Sequence, residues 1–125
     1  MLDLLENRER PTRKESKYSS RMLIRTNSRV LFVLVEDIDY IVAEDYYSAL
    51  HVGTRTHLMR EPLKELEARL DPKTFVRIHR SAIVNIRRIK ELRQTESGGH
   101  DVHLIDGTVL RMSRSRWDSV RQVLA

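Results

Sequence analysis

The sequence predicts a mostly β domain, built from several short antiparallel sheets and hairpins with one middle helix and one C-terminal helix. Three observations predict it. From Arg21 onward, apolar and polar residues alternate over short runs, as half-buried strands require. Turn residues punctuate those runs at Asn27-Ser28, Gly53-Thr54, Gly98-Gly99 and Asp106-Gly107. Only two stretches, EPLKELEARL and SRSRWDSVRQVL, space their apolar residues as a helix does.

The elements follow in order. Residues 1–19 are highly charged, contain Pro11 and hold a brief apolar cluster at Leu2, Leu4 and Leu5. They read as a flexible charged linker or helix end, leaving residues 20–125 as the domain. RMLIRT and RVLFVLV flank Asn27-Ser28 as a hairpin, EDI turns the chain, and DYIVA is a third strand. YSALHV and RTHLMR flank Gly53-Thr54 as a second hairpin. In the middle helix Pro62 stands near the first turn, Leu63, Leu66 and Leu70 share one face, and Asp71-Pro72 stops it. FVRI and AIVN follow as strands around His79, Arg80 and Ser81. HDVHLI and TVLRM flank Asp106-Gly107, a turn expected to hold both central residues at positive φ. The last helix starts from Ser113 as N-cap and buries Trp117, Val120, Val123 and Leu124. Phe32, Phe75 and Trp117 are expected in the core.

Composition narrows the function. At 125 residues the chain makes one compact domain that needs no staples. It has no cysteine, which excludes disulfides, thiolate metal sites and thiol catalysis. The longest apolar run, Val30 to Val35, is far short of a membrane span, and the first residues lack the apolar core of an export signal. A cytoplasmic location is therefore expected. Net charge is +5, and arginine outnumbers lysine by more than three to one. Arginine suits bidentate contact with phosphate and with guanine edges. A GC-rich genome would also enrich it, so the positions of the arginines decide.

Three places concentrate polar residues where a β scaffold has loops: AEDYY with Asp45, Tyr46 and Tyr47; HRS with His79, Arg80 and Ser81; and MSRSR with Ser113, Arg114, Ser115 and Arg116. Arg80, Arg114 and Arg116 can each make two parallel hydrogen bonds to a phosphate or to guanine O6 and N7. Ser81 and Ser113 can donate to phosphate oxygens. Each has a plainer reading. Arg80 could pair with a nearby carboxylate, Ser113 could only cap its helix, and His79 could be a satisfied histidine holding a loop. Arg87, Arg88, Lys90 and Arg93 could be a solvated strand face or could position a nucleic-acid backbone. Asn85, after the apolar run AIV, suits tying down a turn through its amide.

Catalysis fits poorly. Ser81 and His79, two apart on a strand, lack a defined base-to-nucleophile geometry, and there is no Gly-x-Ser-x-Gly elbow or Gly-rich phosphate loop. His100, Asp101 and His103 lack the spacing of a closed metal set. No enzyme activity, cofactor or metal is expected.

The stretch FVRIHRSAIVNIRRIKEL closely resembles the signature of the LytTR DNA-binding domain family of bacterial response regulators, through Phe75, Arg77, His79, Arg80, Ser81, Val84, Asn85 and Ile89. VLFVLVEDIDYIVAEDYYSALHV, LKELEARLDPKTF and DGTVLRMSRSR resemble its opening strands, middle helix and closing hairpin, so roughly residues 21–124 are covered. The resemblance implies a strand-rich fold that reads double-stranded DNA with loops in successive major grooves, as the output domain of a two-component transcription regulator. It implies contacts at the loop around Asp45 to Tyr47, at the Arg80-Ser81 loop and in the segment Ser113 to Arg116. It also implies repeated DNA sites with two copies of the chain, and a receiver or other sensory domain outside these residues. A basic β module for RNA, single strands or a protein partner is the alternative.

Overall fold

The computed structural model describes residues 17–124, so the first 16 residues of the expected charged linker lie outside the described residues. Among the described residues there are ten strands: β1 (Arg21–Arg25), β2 (Val30–Leu34), β3 (Tyr40–Glu44), β4 (Tyr47–Val52), β5 (Arg55–Met59), β6 (Phe75–His79), β7 (Ala82–Asn85), β8 (Ile89–Gln94), β9 (His100–Leu104) and β10 (Val109–Met112). Helix α1 (Leu63–Arg69) joins β5 to β6, and α2 (Trp117–Leu124) closes the fold. The strands form a two-stranded sheet β1-β2, a five-stranded sheet β5-β4-β3-β7-β6 and a three-stranded sheet β10-β9-β8. Every neighbouring pair is antiparallel. The expected mostly β architecture with two helices is what the chain adopts.

The five-stranded sheet is the middle layer. On one face the β1–β2 hairpin and α1 pack Met22, Ile24, Leu63 and Leu66 against Ile41, Leu50, Phe75 and Ile83. On the other face the three-stranded sheet and α2 pack Val102, Leu104, Met112 and Val120 against Val76, Ile78, Ala82 and Val84. Successive strand residues point to opposite faces. A strand covered on both sides therefore buries both sets, and all four residues of AIVN are buried.

Several local features differ from expectation. Phe32 is 62% exposed. It lies on the outer face of the β1–β2 hairpin, which nothing else among the described residues covers. The last helix is shorter than its apolar spacing suggests. Ser113 makes no capping hydrogen bond with its side chain, Arg114–Arg116 form a 3-10 turn, and the α-helix starts at Trp117. Val120 is fully buried there, whereas Val123 is exposed. Pro62 occupies the N-cap of α1. In the Asp106-Gly107 loop only Gly107 takes positive φ, at 95°. Leu104 N–H donates to Thr108 O at 2.8 Å and Gly107 N–H to Leu104 O at 3.0 Å. The loop is thus three residues long, a turn followed by a left-handed glycine. The Asp106 carboxylate accepts from Thr108 N–H at 2.9 Å, which holds its acidity above that of a free aspartate.

Candidate nucleic-acid interface

The signature stretch folds into the β6–β7 hairpin, and its two ends differ. At the turn end the ladder slips between Arg77 and His79, so that His79 pairs with Ala82 and only Arg80 and Ser81 remain in the loop. Arg77 folds over this turn. Its Nε donates to His79 O at 2.8 Å, a second nitrogen donates to Arg80 O, and a third meets the Glu67 carboxylate of α1 at 2.7 Å. His79 Nδ1 accepts Ser81 N–H at 3.1 Å and lies 2.8 Å from Ser81 Oγ. A backbone N–H can only donate, so Nδ1 is the acceptor and the ring proton sits on Nε2. Ser81 O in turn accepts Ala43 N–H at 2.9 Å, which stitches the turn to the end of β3.

The backbone on either side of Arg80 is therefore held by four side-chain or strand contacts. The Arg80 side chain itself is exposed, with no ion pair among the described residues. A charged fork on a rigid mount is what recognition of a planar acceptor pair requires.

The other two polar segments gather at this same end. Glu44 pairs with Tyr47, leaving Asp45 and Tyr46 as a two-residue loop in which Asp45 takes φ 55°. Aspartate tolerates that left-handed conformation better than most side chains. It leaves Tyr46 82% exposed at the tip, with Tyr47 less so. Asp45, Tyr46, Tyr47 and Arg80 share the wall of one cavity. His79, Ser113 and Arg114 share the wall of another. Ser113 N–H donates to Ile78 O at 2.8 Å, tying the third segment to β6 beside the turn. Arg114 donates to Ser97 O, Ser115 is exposed and Arg116 is half-buried. Trp117 stacks on His100 with ring centroids 4.0 Å apart, which seats the start of α2.

Arg87 is not brought to this cluster. It lies in the 3-10 turn after β7, at the end where Asn85 pairs with Phe75. That is the hairpin's length away from the Arg80 turn, roughly 13 Å at ~3.3 Å per strand residue. There, Asn85 Nδ2 donates to Ile38 O at 2.9 Å and its Oδ1 accepts Arg87 N–H at 3.0 Å, as a turn-holding amide should. Arg88 lies 2.7 Å from the Asp39 carboxylate, an ion pair off the line of a directed hydrogen bond. Arg93 pairs with Glu91.

The bracing role of Arg77 was not legible as a role in the sequence. The ladder slip between Arg77 and His79 is why: it breaks the alternation that would otherwise set residues two apart on one face, and no local pattern announces it. Among the described residues no group of three or more His, Asp or Glu side chains is placed to hold a metal ion. No helix among them is long and apolar enough to cross a membrane.

Comparison with known proteins agrees with this architecture. Residues 28–125 match the LytTr DNA-binding domain. The chain is 34% identical over 120 residues to an uncharacterized response regulatory protein of Vibrio cholerae, covering 92% of this chain and 46% of that protein. It is 33% identical over 107 residues to the positive alginate biosynthesis regulatory protein of Pseudomonas aeruginosa, covering 84% and 43%. The chain thus spans less than half the length of these curated relatives. Its fold matches the LytTr DNA-binding domain of a Bacillus cereus protein described as a methyl-accepting/DNA response regulator. The TM-score is 0.77 at 24% identity, over 86% of this chain and 98% of that one. The family match over residues 28–125, most of the chain, makes it a member of the LytTR family of bacterial DNA-binding regulator domains, and the fold agrees.

Proposed function

We propose that this chain binds double-stranded DNA sequence-specifically, with loops set into the major groove, as the output domain of a bacterial transcriptional regulator. One observation carries the reading. The backbone of the Arg80 turn is held by the side chains of Arg77 and His79, yet the Arg80 guanidinium is exposed and has no ion pair among the described residues. Arg80, Arg114 and Arg116 are assigned to base edges or the phosphates beside them. Ser81, Ser113 and Ser115 are assigned to phosphate oxygens. Tyr46 and Tyr47, lifted by the Asp45 turn, pack on sugar or a thymine methyl. His79 holds the loop in place. Arg87, at the far end of the hairpin, stands outside this contact set.

The names of the relatives, a response regulatory protein and an alginate regulatory protein, support a regulatory context. Their greater length supports a receiver or other input domain elsewhere in the protein. Two copies on a repeated site are what the family resemblance implies. The single-strand alternative needs several exposed rings in a row for base stacking. Phe32 is one exposed ring on a sheet face whose other outward residues are aliphatic or arginine.

The test is selection from random duplex DNA, then binding of the winning sequence over a salt series with single-stranded competitor. A repeated motif should emerge. With about six phosphates contacted, log affinity should fall against log salt with a slope of about −5. Preference for the single strand, or binding indifferent to salt, would overturn the proposal.

A further inference from the structure

The three loops leave one group of cations at the same end unused. The cavity beside Arg80 has a volume of about 550 Å³, and its wall also contains Arg60 and Lys64. Arg60 follows β5 and Lys64 lies in α1. Both side chains are exposed, and neither has an ion pair among the described residues. Two of the nearby acids are engaged elsewhere. Glu61 receives Arg69 through both oxygens, at 2.9 and 2.7 Å, and Glu67 receives Arg77 at 2.7 Å. Asp45 is the one carboxylate on the wall, facing Arg60, Lys64 and Arg80. Arg77 lines it too, with its charge offset by Glu67.

The bend that carries Arg60 is fixed. Ser48, fully buried in β4, donates its hydroxyl to Glu61 O at 2.6 Å. A buried hydroxyl on a neighbouring carbonyl holds a backbone that would otherwise be free to sway. The position of Arg60 is therefore set by the same sheet that carries Asp45 and the Arg80 turn.

We infer that Arg60 and Lys64 grip the phosphodiester backbone beside the bases read by the Arg80 turn, making the β5–α1 junction a fourth DNA-contacting element. A base edge offers donors and acceptors without net charge, whereas this wall offers an excess of positive charge with few geometric constraints. Lysine in particular acts as a point charge, suited to phosphate. The inference rests on the duplex-DNA reading above.

The experiment compares the full 125-residue chain with two double variants on the selected operator and on random duplex, each over a salt series. Arg60→Ala/Lys64→Ala removes the proposed contacts. Arg55→Ala/Lys73→Ala removes the same charge from exposed positions outside the cavity wall. The first variant should lose affinity equally on both duplexes, and its salt slope should shrink by about 2, near 0.9 per lost phosphate contact. The second should retain the parental slope. Equal slopes for the two variants, with the parent still binding, would overturn the inference and leave the duplex reading standing. Loss confined to the operator would overturn the backbone role by making these residues base readers. A parent that binds no duplex at low salt would overturn both.

Discussion

The two ends of the β6–β7 hairpin carry similar side chains and put them to different use. At the end holding Asn85 and Arg88, these two side chains find partners within the fold, while Arg87 between them is exposed. The Asn85 amide spans a carbonyl and an N–H, and Arg88 meets Asp39. At the Arg80 end one arginine, Arg77, is spent on holding the turn, and the next, Arg80, is left outward and unpaired among the described residues. Arginine count alone cannot separate these roles. The partner of each guanidinium separates Arg77 and Arg88 from Arg80, and two of those partners, Glu67 and Asp39, lie outside the hairpin.

Substitutions can break this contrast. The largest effect is expected from Asn85→Ala, which strands a buried carbonyl and a backbone N–H and should cost about 3 kcal/mol of folding stability. Urea denaturation measures it, and the folded fraction should keep its DNA affinity. Arg77→Ala should lower stability by roughly 2 kcal/mol, because it removes charge-assisted hydrogen bonds from a mostly buried group. It should also weaken DNA binding, since the turn loses its brace. Arg77→Lys should rescue little, because one ammonium cannot reproduce the fork to His79 O, Arg80 O and Glu67.

Arg80→Ala should do the reverse. Its stability should stay within about 0.5 kcal/mol of the parent. Its affinity for the operator should fall by about 1–3 kcal/mol, with random duplex affected less. Isothermal titration against both duplexes separates the two.

The Asn85 end should also respond mildly to acid. Burial holds the His51 imidazole below its ordinary value, against the opposing pull of Glu44 and Asp39. The unfolded chain therefore takes up this proton more readily than the folded one. The stability contributed by neutral His51 is present above about pH 6.5 and is lost as the pH falls below it. His51→Gln should flatten that part of the stability profile. The smallest effect is expected for Arg87→Ala. At ~0.15 M salt the Debye length is about 8 Å, shorter than its distance from the Arg80 turn, so duplex affinity should change less than about twofold.

Much of the fold was legible because period-two alternation and turn residues are local signals. The hairpins at Asn27, Gly53 and Gly107, the buried leucines of α1 and the amide role of Asn85 were all readable in that way. What was not legible depended on distant neighbours. Phe32 reads as a core residue in VLFVLV, but among the described residues only one face of the two-stranded sheet is packed against the rest of the fold. Arg114–Arg116 continue a helical spacing, yet the backbone tightens there after Ser113 is tied to Ile78. Arg60 and Lys64 stand far from Arg80 in sequence. They meet its cavity because β5, β4, β3 and β7 lie side by side.

The most direct test of which end meets DNA is the change in backbone amide chemical shifts when the selected operator duplex is titrated into the labelled chain. The account predicts changes concentrated at residues 45–47, 79–81 and 113–116, with Gly53, Asn85, Arg88 and Asp106 unmoved. Changes centred on those four residues instead would contradict it.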